Sequence, residues 1–370
     1  MKKYFLTYLL LCFLCLGKAY SLDLNSKQAI LIDYDTGEIL YKLNEKDRVF
    51  PSSMTKIMTA FIIFDDIEKG DLQLPYKFQV SKEAWQQEGS RMFLNIGSRV
   101  SIDNMLKGLI VQSGNDAAYA LAEADAPNIK RFVEKMNKKA KELKLENTHF
   151  TNPIGFSEED HYMSVEDTAI LSQNLIKKHQ QYYQRYFGMT EYTYNNITQQ
   201  NRNTLIKTYP NVDGIKTGHT EAGGYALATS AIRHKKRLIA VVNGADSEKD
   251  REKDSEKLLN YGFITLKKYR VFYRGEVVDS IPVLYGKDVS VKVKVKNNIY
   301  ATAKNIKDIK SVINIDGELQ APIIKDQKVG TITVKTKYDQ KTYDIFANET
   351  VKSVNIFEKI ILKIYEKFKK

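Results

Sequence analysis

The amino-acid sequence predicts an α+β domain, then a small all-β domain, then a short terminal helix. Three observations carry this. A strand pair near the start and three strands between residues 210 and 245 enclose a mostly helical middle. Beyond residue 266 apolar and polar residues alternate with a period of two, and over the last 20 residues the period lengthens to that of a helix. The expected divisions are a leader over 1–21, a first domain over 22–265, an all-β domain over 266–348 and a terminal helix over 349–370.

The leader is read from three parts: the basic start MKK, the 14-residue apolar run YFLTYLLLCFLCLG, and the small-residue stretch KAYS. This is a secretory signal pattern, and the run is short for a membrane span. Cleavage after Ala19 or Ser21 fits best. Both cysteines, Cys12 and Cys15, lie inside it, each behind a leucine rather than the small residue that precedes a lipid-modified cysteine. The mature chain is therefore expected to be exported and free of cysteine, which excludes disulfides and thiol chemistry.

After the leader, QAILIDYDTGEILYKLN reads as a hairpin around Thr36-Gly37. A helix follows from Ser53, with apolar residues from Met54 to Ile63 and a stop near Gly70. Residues 80–190 are mainly helical, interrupted by loops at QEGSRMFLNIGS and NTHFTNPIGFSEEDHYMS. Ser101 is an N-cap candidate for SIDNMLKGLIV, and NDAAYALAEA resumes as a helix. Strands return at NVDGIKTG, GYALATSAI and KRLIAVVNG, and a charged helix closes the unit near residue 265. In the all-β part, VSVKVKVK and TITVKTKY alternate as one-sided strands, with a turn at Asp339-Gln340. In the tail, Ile356, Phe357, Ile360, Ile361, Ile364, Tyr365 and Phe368 form one stripe, set among six lysines and two glutamates. A basic amphipathic helix of this kind suits an in-plane membrane anchor; the alternative is a helix packed on its own domain.

The composition is globular, with 43% hydrophobic residues and a net charge of +12. The positive balance allows an anionic partner or surface. No nucleic-acid-binding motif is present and the lysines are scattered, so no nucleic-acid partner is expected.

Three short motifs carry chemistry. Ser53 and Lys56 stand at i and i+3 at a helix start, on one face, where an amine can take a hydroxyl proton if its surroundings lower its pKa. Alone, the pair also reads as an N-cap and a solvated lysine. Ser113-Gly-Asn115 sits between two helices, where both side chains can project into a cleft. The same spacing at Ser172-Gln-Asn174 and Ser353-Val-Asn355 falls in helix-like runs. Lys216-Thr217-Gly218 lies on a strand and is the sole Lys-Thr-Gly of the chain.

In this order the three motifs resemble the signature of the penicillin-recognising serine enzymes. The blocks PSSMTKIMTA, GSRMFLNIGS, LIVQSGNDAA, DGIKTGHTEAGGYALATS and LQAPIIKDQKVGTITV resemble one branch over nearly the whole chain. That branch is the low-molecular-mass penicillin-binding proteins that act as D-alanyl-D-alanine carboxypeptidases. The resemblance implies an antiparallel sheet built from the N-terminal hairpin and the Lys216 strands, flanked by helices. It also implies an oxyanion hole from the backbone N–H groups of Ser53 and His219.

Beside it, the residues suggest roles. Ser53 is the nucleophile, favoured by its helix N-terminus. Lys56 is the base, kept neutral by the cleft and by Lys216. Ser113 relays the proton to the leaving amine. Asn115 holds Lys56 and the substrate amide. Lys216 and Thr217 receive a terminal carboxylate, and Gly218 lets the strand backbone approach the substrate. His219 is not expected to form a Ser-His-Asp triad, although its ring can shape the site. His149, His161, His179 and His234 lack metal-ligand spacing and are expected as surface or loop residues, while Asp167 either supports the cleft or caps a helix. No metal or organic cofactor is expected.

The expected partners are a peptidoglycan pentapeptide ending in D-Ala-D-Ala, β-lactams as covalent inhibitors, and a membrane surface reached through the tail, on the periplasmic face. A β-lactamase is the nearest competitor and would need a deacylating carboxylate, for which Glu158, Glu159 and Glu166 are candidates. A D,D-endopeptidase or transpeptidase would share the site, and a silent peptidoglycan-binding protein would have no reason to retain all three motifs.

Overall fold

The computed structural model describes residues 22–265, 267–303, 305–336 and 340–368. The leader over 1–21 and Asp339 of the expected turn lie outside the described residues. Strand β1 (Gln28–Asp33) and strand β2 (Ile39–Leu43) form the hairpin that the sequence suggests. Asp33 Oδ1 accepts from Thr36 N–H at 2.8 Å, and Gly37 takes the left-handed φ of +74° that the turn requires. Within β1 the run Ala29–Ile32 is apolar without interruption because both its faces are buried. Ile30 and Ile32 enter one core, and Ala29 and Leu31 enter another.

Three later strands complete an antiparallel sheet: β3 (Val212–Thr220), β4 (Gly224–Arg233) and β5 (Lys236–Ala245). The order is β2-β1-β5-β4-β3, which leaves β3 at an edge. Residues more than 200 positions apart in sequence thus become neighbours, for example Gln28 opposite Asn243.

On one face lies helix α1 (Thr55–Lys69), which Gly70 ends with a φ of +87°. Ile57, Met58, Ala60, Phe61, Ile62, Ile63 and Phe64 are all buried, so this helix is the axis of the core rather than a surface element. Around it pack α2 (Ile102–Val111), α3 (Asn115–Asp125), α4 (Ile129–Glu142), α5 (Val165–Lys178) and α6 (Gln180–Tyr186). Ser101 caps α2 as expected, its hydroxyl accepting from Asn104 N–H at 3.2 Å.

The opposite sheet face is covered by α7 (Glu248–Thr265) through Leu258 and Leu259. Gly262 permits this approach: a Cβ there would lie 2.6 Å from Leu31 Cδ2.

The C-terminal sheet runs in the order Lys310–Ile315, Lys328–Lys335, Gln340–Ala347, Ser290–Val295, Val277–Leu284, Leu319–Gln320. Val291, Val293 and Val295 are buried while Lys292 and Lys294 are not, the pattern of a one-sided strand. Bridges from Ile323 to Val351 and from Gly286 to Ser353, and a bond from Val354 N–H to Tyr285 O, extend this domain's ladder beyond residue 348.

Helix α8 (Ile356–Phe368) then begins at a reciprocal Asn355–Glu358 cap. Ile356, Phe357, Ile361 and Ile364 are more than half exposed, whereas the Lys359 and Lys363 ammoniums lie over Tyr285 at 5.3 and 5.8 Å. These four residues of the apolar stripe face solvent. Among the described residues no helix is long and apolar enough to cross a membrane.

Candidate active site

Ser53 belongs not to α1 itself but to a one-turn 3₁₀ segment, Ser52–Met54, that leads into it. Ser52 adopts a left-handed φ of +51°, a conformation costing a non-glycine residue about 1 kcal/mol or more. It is held there from two sides. A Cβ on Gly155 would lie 1.8 Å from Ser52 O and 3.1 Å from Ser53 N, and a Cβ on Gly218 would lie 3.2 Å from Ser52 Cβ. Gly218 thus serves first to let β3 pack on the serine turn, a role more local than the substrate approach expected from sequence. Ser52 Oγ also donates to Thr220 Oγ1 at 3.3 Å.

Lys56, one helical turn on, is 1% exposed. Its Nζ lies 3.0 Å from Ser53 Oγ, 2.7 Å from Asn115 Oδ1 and 2.6 Å from Ile154 O. Burial, and next the charge of Arg202, push its pKa down to about 7, against the opposing pull of Asp116. The sequence reading gave the electrostatic part to Lys216; in the structure burial leads and exposed Arg202 follows.

The stoichiometry of this arrangement matters. The Asn115 and Ile154 oxygens can only accept, so they take two protons of a neutral amine. The lone pair is then left facing the Ser53 hydroxyl.

Ser113 has φ +63° and is buried, and its Oγ has no hydrogen-bond partner among the described residues. An unpaired buried hydroxyl costs about 1–3 kcal/mol, which a group arriving in the cleft would relieve. Asn115 opens α3. Its Oδ1 holds Lys56 as expected, but its Nδ2 donates to Glu88 O at 2.6 Å, and its backbone N–H to Ser90 O at 2.7 Å. The amide is therefore committed to the 88–94 loop as well as to Lys56, which leaves it less free for substrate than the sequence suggested. Asp116 completes that anchorage by accepting from Met92 N–H at 2.9 Å and Leu94 N–H at 3.0 Å.

On β3, Lys216 is buried and donates to Thr217 O at 3.0 Å. Burial, then Lys56, Arg202 and Arg251, hold its pKa well below the ordinary lysine value. A carboxylate bound here would offset all four effects. Thr217 is buried beside it. His219 is exposed and stacks on Tyr225 at 4.0 Å, with no bond to a serine or an aspartate among the described residues, so no triad is assembled there.

The loop over 151–158 was marked in sequence only as a loop, yet it forms one wall. Asn152 Oδ1 accepts from Ile154, Gly155 and Phe156 N–H at 3.2, 2.7 and 3.2 Å, and Thr59 Oγ1 donates to Pro153 O at 2.7 Å. The Asn-Pro-x-Gly run was its visible signal.

Two of the histidines expected as surface or loop residues are fully buried, His161 in a loop and His179 at the end of α5. His161 Nδ1 accepts from Thr151 N–H at 3.0 Å, so Nε2 carries the proton and donates to Thr55 Oγ1 at 2.8 Å. Burial pushes its pKa down to about 4. His179 sits between Asp65 and Glu68 at 3.0 and 2.9 Å. These three are the one group of metal-ligand type among the described residues, but Lys139 and Lys178 already neutralise Asp65. It is an ion-pair network.

Asp167 accepts from Asn147 N–H and Thr148 Oγ1, each at 2.7 Å, away from the cleft. Of the acidic candidates, Glu158 accepts from Asn152 Nδ2 at 3.0 Å, and Glu166 lies 3.9 Å from Lys46 in the first turn of α5. Neither bonds to Ser53 or Lys56.

Comparison with known proteins gives a consistent result. A family described as D-alanyl-D-alanine carboxypeptidase matches residues 17–247, and one described as the C-terminal domain of penicillin-binding protein 5 matches residues 267–353. The chain is 39% identical to D-alanyl-D-alanine carboxypeptidase DacF of Bacillus subtilis, over 84% of this chain and 81% of that protein. It is 35% identical to DacA of Escherichia coli, over 92% and 87%. The crystal structure of penicillin binding protein 5 from Haemophilus influenzae superposes with a TM-score of 0.71 at 33% identity, covering 90% of this chain and 99% of that one.

Proposed function

The chain belongs to the D-alanyl-D-alanine carboxypeptidase family of penicillin-binding proteins, and from that premise we propose how its residues remove the terminal D-alanine of a peptidoglycan stem peptide. Ser53 Oγ attacks the carbonyl between the two D-alanines while Lys56 Nζ takes its proton. The tetrahedral oxyanion is held by the backbone N–H groups of Ser53 and His219, an arrangement worth roughly 3–4 kcal/mol. The proton then passes from Lys56 through Ser113 to the departing amine, the C–N bond breaks, and free D-alanine leaves an ester on Ser53. Water attacks the ester with Lys56 again as base, which releases the shortened peptide and restores the serine.

Lys216 and Thr217 hold the terminal carboxylate, with Arg202 and Arg251 adding positive potential. The same nucleophile opens a β-lactam ring and is left acylated. Glu158 and Glu166, two of the three carboxylates offered for a β-lactamase, are engaged elsewhere, which favours the carboxypeptidase reading.

The observation that carries the mechanism is the buried Lys56 amine, with two obligate acceptors and a serine hydroxyl around it. The test is D-alanine release from a peptide ending in D-Ala-D-Ala by protein lacking residues 1–21, with Ser53→Ala beside it. Loss of release in the variant supports the assignment; equal release from both removes Ser53 as nucleophile.

The placement follows from the same reading. The chain is exported by its leader and works at the periplasmic face of the membrane, peripherally attached. The outward stripe of α8 lies in the bilayer interface, and its lysines meet anionic headgroups. The part 22–265 is then catalytic, the part 266–348 with the paired segment up to Val354 is the spacer, and helix α8 within 349–370 is the anchor.

A further inference from the structure

One of the cavities that the mechanism leaves unused lies beside the serine turn. A pocket of about 380 Å³ opens between the run that leads into Ser53, the end of the 151–163 loop and the β3–β4 turn. Phe50, Tyr162 and Gly223 line it, together with three charged side chains, Lys27, Arg48 and Glu159. It is built on the framework of the serine turn. Its wall residue His161 is bonded to Thr55, and Gly223 N–H donates at 2.9 Å to Thr220 Oγ1, the atom that also receives Ser52 Oγ. A Cβ on Gly223 would lie 3.3 Å from Phe50 O, so the turn and the serine run are in close contact.

The direction of a bound peptide leads here. Its terminal carboxylate rests at Lys216 and Thr217 and its reacting carbonyl at Ser53. A peptide laid along edge strand β3 therefore continues past His219 toward Thr220 and Gly223. The residue upstream of the two alanines is thereby directed to the side of the site where Ala222 and Gly223 line the pocket.

The pocket's charges are of both signs. The Arg48 guanidinium lies over the Tyr162 ring at 4.7 Å, and its Nε donates to Asn147 Oδ1 at 3.3 Å, which fixes its plane before any ligand binds. Lys27 adds a second cation, and Glu159 supplies the anion. A simple carboxylate would be opposed by Glu159, and a simple amine by Arg48 and Lys27. A group with both ends satisfies all three, and Phe50 and Tyr162 suit the methylenes between.

We propose that this pocket binds the residue preceding the two D-alanines and selects a diamino-dicarboxylic side chain, with its carboxylate on Arg48 and Lys27 and its ammonium on Glu159. The proposal rests on the carboxypeptidase reading of Ser53.

The test uses the mature full chain and two Nα-acetylated peptides, X-D-Ala-D-Ala, with X either meso-diaminopimelate or norleucine. The expected result is a kcat/KM ratio on the order of tenfold in favour of diaminopimelate, the scale of two partly exposed charge pairs. In the double variant Arg48→Gln with Lys27→Gln the ratio falls toward one, and acylation of Ser53 by benzylpenicillin continues, which shows that the fold is intact. A wild-type ratio near one, or a double variant that lowers both peptides alike, overturns the pocket's role. Absence of D-alanine release from either peptide together with absence of penicillin acylation overturns the underlying carboxypeptidase reading instead, and the pocket's role with it.

Discussion

Acylation should follow the protonation of Lys56, and the structure supplies the scale. A lysine at the ordinary value of 10.5 would be neutral in only about one molecule in 3,000 at pH 7. At the value of about 7 set by burial and Arg202, roughly half the molecules carry the free amine. The gain in competent base is therefore about a thousandfold, or about 4–5 kcal/mol at 1.36 kcal/mol per unit.

The second-order rate constant for acylation by benzylpenicillin should rise tenfold per pH unit below pH 7 and level off above it. Arg202→Gln removes a cation that disfavours the charged amine, so its midpoint should move upward. Stopped-flow acylation between pH 5 and 9 measures both. A profile flat across that window, or a midpoint that stays still or falls in Arg202→Gln, would refute the assignment of Lys56 as base. The same shift has a sign in stability. The folded state holds fewer protons than the unfolded one between pH 7 and 10.5, so wild-type stability should climb with pH there, and Lys56→Met should flatten the climb in urea titrations.

Other expectations follow from the surroundings. Gly155→Ala sets a Cβ against the Ser52 carbonyl at a φ of +93°, and should cost about 3 kcal/mol and at least about a hundredfold in penicillin acylation, read by denaturation and labelling. His161 has its pKa pushed down to about 4, below the unfolded value near 6.5, so its contribution is present above pH 6.5 and is lost as pH falls toward 4. His161→Gln should therefore reduce acid sensitivity in that window by about 3 kcal/mol, measured as the difference between two pH–stability curves. Deletion from Ile356 onward should release the protein from membrane vesicles while D-alanine release continues; a truncated chain that still sediments with vesicles would exclude α8 as the anchor.

Much of this architecture could be read from the chain. The hairpin, the Ser101 cap, the Gly70 stop and the alternation of Val291, Val293 and Val295 are local signals that need no distant partner to be recognised. Ser53, Lys56, Ser113, Asn115 and Lys216 were legible for a different reason: short spacings of chemically specific residues are rare in combination. What escaped were residues whose role exists only after folding. Arg202 acts through space on two lysines, and nothing in its neighbours along the chain marks it. Asp116 was not singled out in the sequence, yet it grips a loop more than 20 residues earlier. His161 was read as a surface or loop residue; it does lie in a loop, but a single histidine carries no periodicity and its burial is set by elements that close over it.

The clamp on Ser52 bears on how the protein comes into being. The turn is shaped by Gly155 and Gly218, and the Lys56 amine by Asn115 and Ile154, which stand 59 and 98 residues further along. The Thr220 hydroxyl is 168 residues away. A chain still being synthesised, or threaded unfolded through a translocation channel, carries at position 53 an ordinary alcohol and at position 56 an ordinary ammonium ion. Reactivity toward a strained lactam or a peptide is thus conferred only when segments far along the chain have docked on the serine turn, and a nascent molecule is chemically inert until it has closed.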